Sequence, residues 1–173
     1  MRVTRRRALQ TLVAAGTGLA GLGGYGLLVE PHRLSVTRAS VRVSRLPPAL
    51  DGLRLGLVAD LHYGRPTGDG MLASITETLA AEKPDLVLLV GDFVTGSERS
   101  AVAPCAARLT GIDARYGVFA ALGNHDPEAE VKWAFERQGI GVLRDGHTRL
   151  AIRGEPVSLG GLRYWSRKAA DLQ

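Results

Sequence analysis

Three short polar clusters in the sequence contain side chains that can bind a metal ion. They are Asp60-Leu61-His62, Gly91-Asp92 and Gly123-Asn124-His125-Asp126. Asp60, Asp92 and Asn124 follow one another at equal intervals of 32 residues. Carboxylate, imidazole and amide groups suit hard or borderline divalent cations, and one carboxylate can bridge two ions. Two ions about 3.5–4 Å apart are a common device for displacement at phosphorus. The pattern therefore predicts a metal centre for phosphoester chemistry, with Asp92 as the bridge.

Each cluster also has an ordinary explanation. An Asp-x-His or a Gly-Asp pair by itself is a common turn after a strand, and Asp126 is a suitable cap for a helix that begins at Pro127. Each cluster is therefore either a turn or part of a site. Their occurrence together, in order and at equal spacing, favours one shared site over three unrelated turns.

The clusters follow three predicted β-strands. Residues 53–59, which alternate and then become wholly apolar, and the apolar runs at 85–90 and 118–122 predict these strands. The run at 85–90 is typical of a parallel strand that is buried on both faces. Apolar residues at helical spacing lie between and after them, so the predicted order alternates strand and helix and indicates an α/β fold with parallel pairs. Open sheets of this class bind ligands at the carboxyl edge, where adjacent strands are about 5 Å apart. We therefore expect the three clusters to converge.

Other segments give weaker structural predictions. Three predicted helices present apolar residues within 71–79, 102–109 and 131–135 toward the sheet. Residues 34–37 and 41–43 alternate as in a strand with one wet face, and residues 145–148 read as a hairpin turn between 142–143 and 150–152. These predictions place His147 in a turn, away from the metal centre.

The three clusters and their flanks, ADLHYG, KPDLVLLVGDFVTG and YGVFAALGNHD, resemble the calcineurin-like metallophosphoesterase family in its exported bacterial branch. The resemblance runs from about Glu30 to the end of the chain. It implies an N-terminal portion of an αββα sandwich, two divalent metal ions (Mn, Fe or Zn) and hydrolysis of a phosphoester or phosphodiester by a hydroxide that the metals activate. It also implies a metal ligand set. The matching positions are Asp60 and His62 for the first metal, Asp92 for the bridge and Asn124 for the second metal.

The resemblance assigns a different task to the end of the third cluster. His125 matches a histidine that does not bind metal but stabilises charge on the phosphate and protonates the leaving oxygen. Asp126 matches the acid that orients this histidine. The resemblance therefore implies that His125 and Asp126 are catalytic rather than metal-binding.

The family pattern continues with a Gly/Ser-His segment and a Gly-His-x-His segment, whose three histidines complete both metal shells in the family, and neither segment occurs in this sequence. Gly146-His147-Thr148 comes nearest, but Arg149 stands where the second histidine belongs. Residues 30–173 are therefore expected to be a partial, C-terminally truncated phosphoesterase domain, ending in the start of a helix at 166–173. Three functions remain open: a metal-dependent phosphoesterase, a catalytically inactive membrane-tethered remnant, and a binding partner of an intact relative.

Residues 1–29 predict an export signal or a membrane anchor. A basic start precedes an uncharged, glycine-rich apolar stretch, and residues 4–10 resemble a twin-arginine signal around Arg5 and Arg6. A helix of about 19 residues would rise roughly 28 Å, enough to span a bilayer, and no small-x-small cleavage site follows Val29. The chain is therefore expected at the extracytoplasmic face of a bacterial cytoplasmic membrane, with a lipid-linked phosphoester among the candidate substrates.

Composition excludes some classes of function. Four of the 22 basic residues precede Glu30, which leaves 18 basic and 17 acidic residues in the remainder. A nearly neutral remainder argues against a nucleic-acid partner, which requires a basic face. Cys105 is the only cysteine, so neither an internal disulfide nor a thiolate metal cluster can form, and it is expected to be a buried apolar residue.

Overall fold

The computed structural model describes residues 17, 23–25, 33–64, 67–162 and 164. The chain divides into two compact units, Met1–Val36 and Thr37–Gln173. In the first unit residues 23–25 are helical, and Arg33 Nη1 donates a hydrogen bond to the Tyr25 hydroxyl over 2.9 Å. Most of the predicted export signal, including both arginines of its motif, lies outside the described residues. Within the described residues, no helix has the length and apolar character needed to cross a membrane.

The second unit alternates strands and helices, as the sequence predicts. Its elements are β1 (Leu55–Ala59), α1 (Asp69–Glu82), β2 (Leu86–Val90), α2 (Arg99–Leu109), β3 (Val118–Ala121), α3 (Glu128–Glu136), β4 (Gly141–Leu143), β5 (Gly146–Ile152) and β6 (Glu155–Gly161). The first four strands form one sheet in the order β1-β2-β3-β4, and each neighbouring pair is parallel. The predicted α/β class with parallel βαβ units is confirmed.

The register of this sheet places the ends of its strands at one level. Ala59 pairs with Val90, and Val90 pairs with Ala121. The residues that follow each of these positions therefore leave the sheet side by side at its carboxyl edge. This alignment brings the three polar clusters to the same place.

One face of the sheet is covered by the three helices. Val87 and Leu89 of β2 and Val118 and Ala120 of β3 are buried in a single cluster with helix residues. The helix residues are those that the helical spacing predicts, namely Leu72, Ile75 and Leu79 of α1, Val102, Cys105, Ala106 and Leu109 of α2, and Val131, Ala134 and Phe135 of α3. Full burial of a large apolar side chain contributes about 1.5–3 kcal/mol, so this layer holds the parallel strands in place.

Cys105 lies inside this layer, in agreement with its predicted structural role. Its side chain is fully buried, and Sγ lies 3.7 Å from the carbonyl oxygen of Phe93. Burial raises the pKa of the Cys105 thiol to about 12, and the nearby Asp126 carboxylate acts in the same direction. The thiol is therefore protonated at neutral pH and serves as a small apolar group.

The opposite face of the sheet is covered only in part. Leu86 packs with Leu50 and with Ile152 of β5 in a second, smaller cluster. Toward the edge strand, Leu55 and Leu57 of β1 are 56% and 67% exposed. These apolar side chains of β1 are therefore exposed on the uncovered part of this face.

The β-hairpin is formed by a later pair of strands than the sequence predicts. β4 joins the parallel sheet beside β3, and the antiparallel pair is β5 with β6. The hairpin turn is formed by Arg153 and Gly154, both at positive φ, which matches the twist that two-residue hairpin turns require. The prediction of a turn at residues 145–148 was wrong, and His147 is an exposed residue of β5.

The two early strand predictions were also wrong. Residues 33–43 have no regular secondary structure, although the alternating pattern of 34–37 and 41–43 is typical of a strand. A strand requires a neighbour for its backbone N–H and C=O groups, and no strand in the described part of the chain pairs with this segment. The predicted helix start at residues 166–173 lies outside the described residues.

Candidate metal centre

Asp60, His62 and Asp92 converge at the carboxyl edge of the sheet. One potential ligand atom of each lies within 4.8 Å of those of the other two. His62 Nε2 is 3.9 Å from Asp92 Oδ2, and the Asp92 side chain is only 13% exposed whereas that of His62 is 36% exposed. Two carboxylates and an imidazole directed at a common point, with one open side, fit a divalent cation. The predicted grouping of these three residues is therefore present.

The backbone at all three residues is in the left-handed region. φ is +52° at Asp60, +43° at His62 and +51° at Asp92. Residues other than glycine rarely adopt this backbone conformation. Strained backbone of this kind is concentrated at functional sites, where contacts with the surrounding structure maintain it. Here, hydrogen bonds between the loops after β1 and β2 maintain this conformation. Asp60 N–H donates to Gly91 O over 3.3 Å, and His62 N–H donates to Asp92 O over 2.8 Å.

Two glycines allow the loops after β2 and β3 to touch. A Cβ at Gly123 would lie 2.2 Å from Asp92 Oδ1 and 2.3 Å from Asp92 N. A Cβ at Gly91, where φ is +54°, would lie 2.8 Å from Gly123 Cα. No larger residue fits at either position without displacing Asp92 or the neighbouring backbone, so these glycines permit the approach on which the site depends.

His125 lies beside this group. Its backbone N–H donates to Asp92 Oδ1 over 2.9 Å, and its ring centroid is 5.4 Å from that of His62 in an edge-to-face arrangement. Asn124 is exposed in the same turn. Asp92 therefore has one oxygen on the His62 side and the other against the turn that carries Asn124 and His125.

Asp126 is the buried acid of the cluster, with 7% of its surface exposed. Oδ1 accepts a hydrogen bond from the Phe93 N–H over 2.7 Å, and Oδ2 accepts one from the Gly123 N–H over 2.8 Å. Burial raises the pKa of Asp126, the two N–H groups lower it, and the charge of Asp92 raises it. The cap of α3 is Pro127, without a side-chain hydrogen bond, so the capping role considered for Asp126 was wrong.

The loop after His62 contains a polar network that sequence analysis missed. The Tyr63 hydroxyl donates to Asp69 Oδ1 over 2.6 Å, and Arg108 Nη2 donates to Asp69 Oδ2 over 2.5 Å. The hydrogen bond to Asp69 raises the pKa of Tyr63, and the Tyr63 and Arg108 hydrogen bonds lower the pKa of Asp69. Thr95 Oγ1 adds a hydrogen bond to the carbonyl of His62 over 2.9 Å. Arg108 and Thr95 are distant in sequence from their partners Asp69 and His62, so only the fold reveals that these residues support the His62 loop.

Comparison with known proteins relates this chain to metallophosphoesterases. Residues 53–163 match the model of the family described as calcineurin-like phosphoesterase. A transmembrane protein with a metallophosphoesterase domain from Danio rerio is 32% identical over 161 residues, which is 86% of this chain and 37% of that protein. The uncharacterized metallophosphoesterase YkuE of Bacillus subtilis is 28% identical over 174 residues, 93% of this chain and 60% of that protein.

A third relative has a named substrate. The UDP-2,3-diacylglucosamine pyrophosphatase LpxG of Chlamydia muridarum is 33% identical over 98 residues, 57% of this chain and 30% of that protein. This chain thus spans less than two thirds of the length of each of these three relatives. No solved structure is a significant match. On the match to the family model, which covers the sheet, the helices and all three polar clusters, the chain belongs to the calcineurin-like phosphoesterase family.

Proposed function

We propose that this chain contributes the metal-binding edge of a phosphoesterase that hydrolyses a phosphoester or phosphodiester bond. The observation that carries this proposal is the convergence of Asp60, His62 and Asp92 at the carboxyl ends of two adjacent parallel strands. These residues would hold a divalent ion, with Mn, Fe and Zn as the candidates. When bound, such an ion supplies positive charge that polarises the phosphoryl group and offsets the charge that develops on its oxygens.

The residues of the third cluster complete the proposed site. Asp92 lies between His62 and the turn of Asn124 and His125, and this position supports a bridging role with Asn124 as a ligand to a second ion. His125 lies within reach of the same centre, and we assign it the protonation of the leaving oxygen. The backbone bond from His125 to Asp92 leaves the imidazole itself available for this task.

We further propose a lipid-linked phosphoester as substrate. The support is the similarity to LpxG, which is named for a diacylglucosamine nucleotide, and to a relative from Danio rerio that is named as a transmembrane protein. A substrate with a lipid portion would be hydrolysed close to a membrane surface. The proposed location at the extracytoplasmic face of the cytoplasmic membrane is consistent with such a substrate.

A hydrolysis assay with the 173-residue chain tests the proposed function. The proposal predicts Mn²⁺-dependent hydrolysis of bis(p-nitrophenyl) phosphate that a chelator abolishes, whereas the ligand count from the sequence, which lacks the last three histidines of the family pattern, predicts no turnover above background. Asp60→Asn should lower this rate by roughly a hundredfold, since loss of a ligand charge weakens both metal binding and charge stabilisation. Asp113→Asn is the matched control, because Asp113 is also an exposed aspartate but lies outside the metal centre.

The assay separates the open functions. Equal activity of Asp60→Asn and Asp113→Asn would contradict the assigned metal centre. A folded chain with no metal-dependent turnover would favour the non-catalytic alternatives, a remnant or a binding partner of an intact relative.

Export by the twin-arginine route gives a separate prediction. Replacement of Arg5 and Arg6 by lysine retains the charge but removes the planar guanidinium groups, so we expect the protein to accumulate in the cytoplasm. Cell fractionation of the two forms in a bacterial host measures the outcome. Unchanged export of the double-lysine variant would indicate the general secretory route or an anchor instead.

A further inference from the structure

Two loops of the metal centre are joined by an exchange of carboxylates. The β2 loop comprises residues 91–94, and the β3 loop comprises residues 122–127. Asp92 of the β2 loop accepts the His125 N–H of the β3 loop over 2.9 Å. Asp126 of the β3 loop reaches back and accepts the Phe93 N–H of the β2 loop over 2.7 Å. Each loop therefore supplies one carboxylate to the backbone of the other.

The two carboxylates differ in what remains available to a ligand. Asp92 has Oδ2 on the His62 side, 3.9 Å from Nε2, and belongs to the metal-ligating group. Both Asp126 oxygens are engaged, since Oδ2 also accepts the Gly123 N–H over 2.8 Å, and the side chain is buried. Asp126 is thus directed at backbone amides within the protein and not toward the open side of the centre.

We propose that Asp126 is a positioning residue that clamps the β2 and β3 loops together and thereby holds Asp92 in its metal-binding conformation. This proposal rests on the proposed function, because it assigns a role within the same metal centre. It differs from the role that family resemblance implies, the orientation of His125, because the oxygens of Asp126 bind the amides of Phe93 and Gly123.

The clamp acts next to a constrained point of the site. Phe93 directly follows Asp92, whose φ is +51°, and Gly123 lies against Asp92 with no room for a Cβ. A strained conformation persists only where the surrounding structure fixes it from several sides. The Asp126 bonds fix both neighbours of the Asp92 side chain, and an ionised acceptor makes these bonds stronger than neutral ones.

Asp126→Asn tests the clamp with little change in shape. The amide retains one acceptor oxygen but presents an NH₂ group to the second backbone N–H, so one hydrogen bond is lost and the other is no longer charge-assisted. In the metal-free 173-residue chain, we expect hydrogen exchange measured by NMR to become about ten- to a hundredfold faster at the amides of Phe93 and Gly123. Mn²⁺ affinity, measured by calorimetry, should fall about tenfold or more.

Leu79→Ala is the control for a general loss of stability. Leu79 is buried on α1 and packs beside Gly56 of β1, outside both loops. The two variants are compared under conditions in which they are equally stable to heat. Leu79→Ala should then leave hydrogen exchange at the Phe93 and Gly123 amides, and the Mn²⁺ affinity of the folded protein, near wild-type values. If Asp126→Asn accelerates exchange at these amides no more than Leu79→Ala does, the clamp is overturned.

Two further measurements keep the proposals separate. If Asp126→Asn does not fold, Asp126→Ser is used, which retains one neutral acceptor, and at least one of the two amides should then lose protection. Asp92→Asn tests the metal centre itself. If Mn²⁺ binds Asp92→Asn as well as wild type, the proposed function fails, while the exchange data from the metal-free protein still decide whether the clamp exists.

Discussion

Asp92→Asn is expected to remove most of the bound metal and to lower phosphodiester turnover by roughly a hundredfold or more. Asp92 is the least exposed of the three converging ligands and lies between His62 and the turn of His125. The substitution removes the negative charge of a ligand at the centre of the site. Catalysis by preorganised charge depends strongly on a central charged ligand of this kind. Metal content by elemental analysis and Mn²⁺-dependent hydrolysis, measured on the same samples, provide the test.

Two neighbouring substitutions distinguish ligand from acid. Asn124→Ala should lose less metal and less activity than Asp92→Asn, because a neutral amide contributes to one ion only. His125→Ala should lower turnover while metal content stays close to wild type, because its assigned task is proton transfer. A His125→Ala variant as poor in metal as Asp92→Asn would show that these roles are wrongly assigned.

Gly123→Ala is expected to disrupt the metal centre although it adds a single methyl group. The new Cβ would lie 2.2 Å from Asp92 Oδ1, so either Asp92 or the β3 loop must move. Forced overpacking of this kind costs about 1–3 kcal/mol of stability, and the displacement falls on a metal ligand and on the amide that Asp126 binds. We expect a lower melting temperature together with at least a tenfold loss of Mn²⁺ affinity, measured by thermal denaturation and calorimetry.

Gly70→Ala is the matched control for this substitution. Gly70 lies in α1, where φ is ordinary for a helix and a Cβ would meet nothing within 4 Å. Alanine there should stabilise the protein by about 0.5–1 kcal/mol and leave metal binding unchanged. Equal Mn²⁺ affinity in Gly123→Ala and Gly70→Ala would contradict the close approach of the two loops.

The sequence alone determined the framework of this protein. A stretch that alternates and then becomes apolar predicted β1, apolar runs predicted β2 and β3, and helical spacing predicted the buried residues of all three helices, such as Leu72 and Phe135. Because parallel strands end at one edge, the equal spacing of the polar clusters also predicted that Asp60 and Asp92 would meet. These properties follow from the local periodicity of apolar residues and from the order of strands and helices along the chain, and both can be read from a single sequence.

Only the tertiary structure decided the details that depend on distant partners. The alternating residues 34–43 are not a strand, since pairing requires a neighbour that sequence alternation cannot supply. The turn of Arg153 and Gly154, and not that of Asp145 and Gly146, closes the hairpin, because β4 is paired with β3. The left-handed backbone of Asp92 and the two amide partners of Asp126 arise where two loops touch, and such contacts leave no local pattern in the chain.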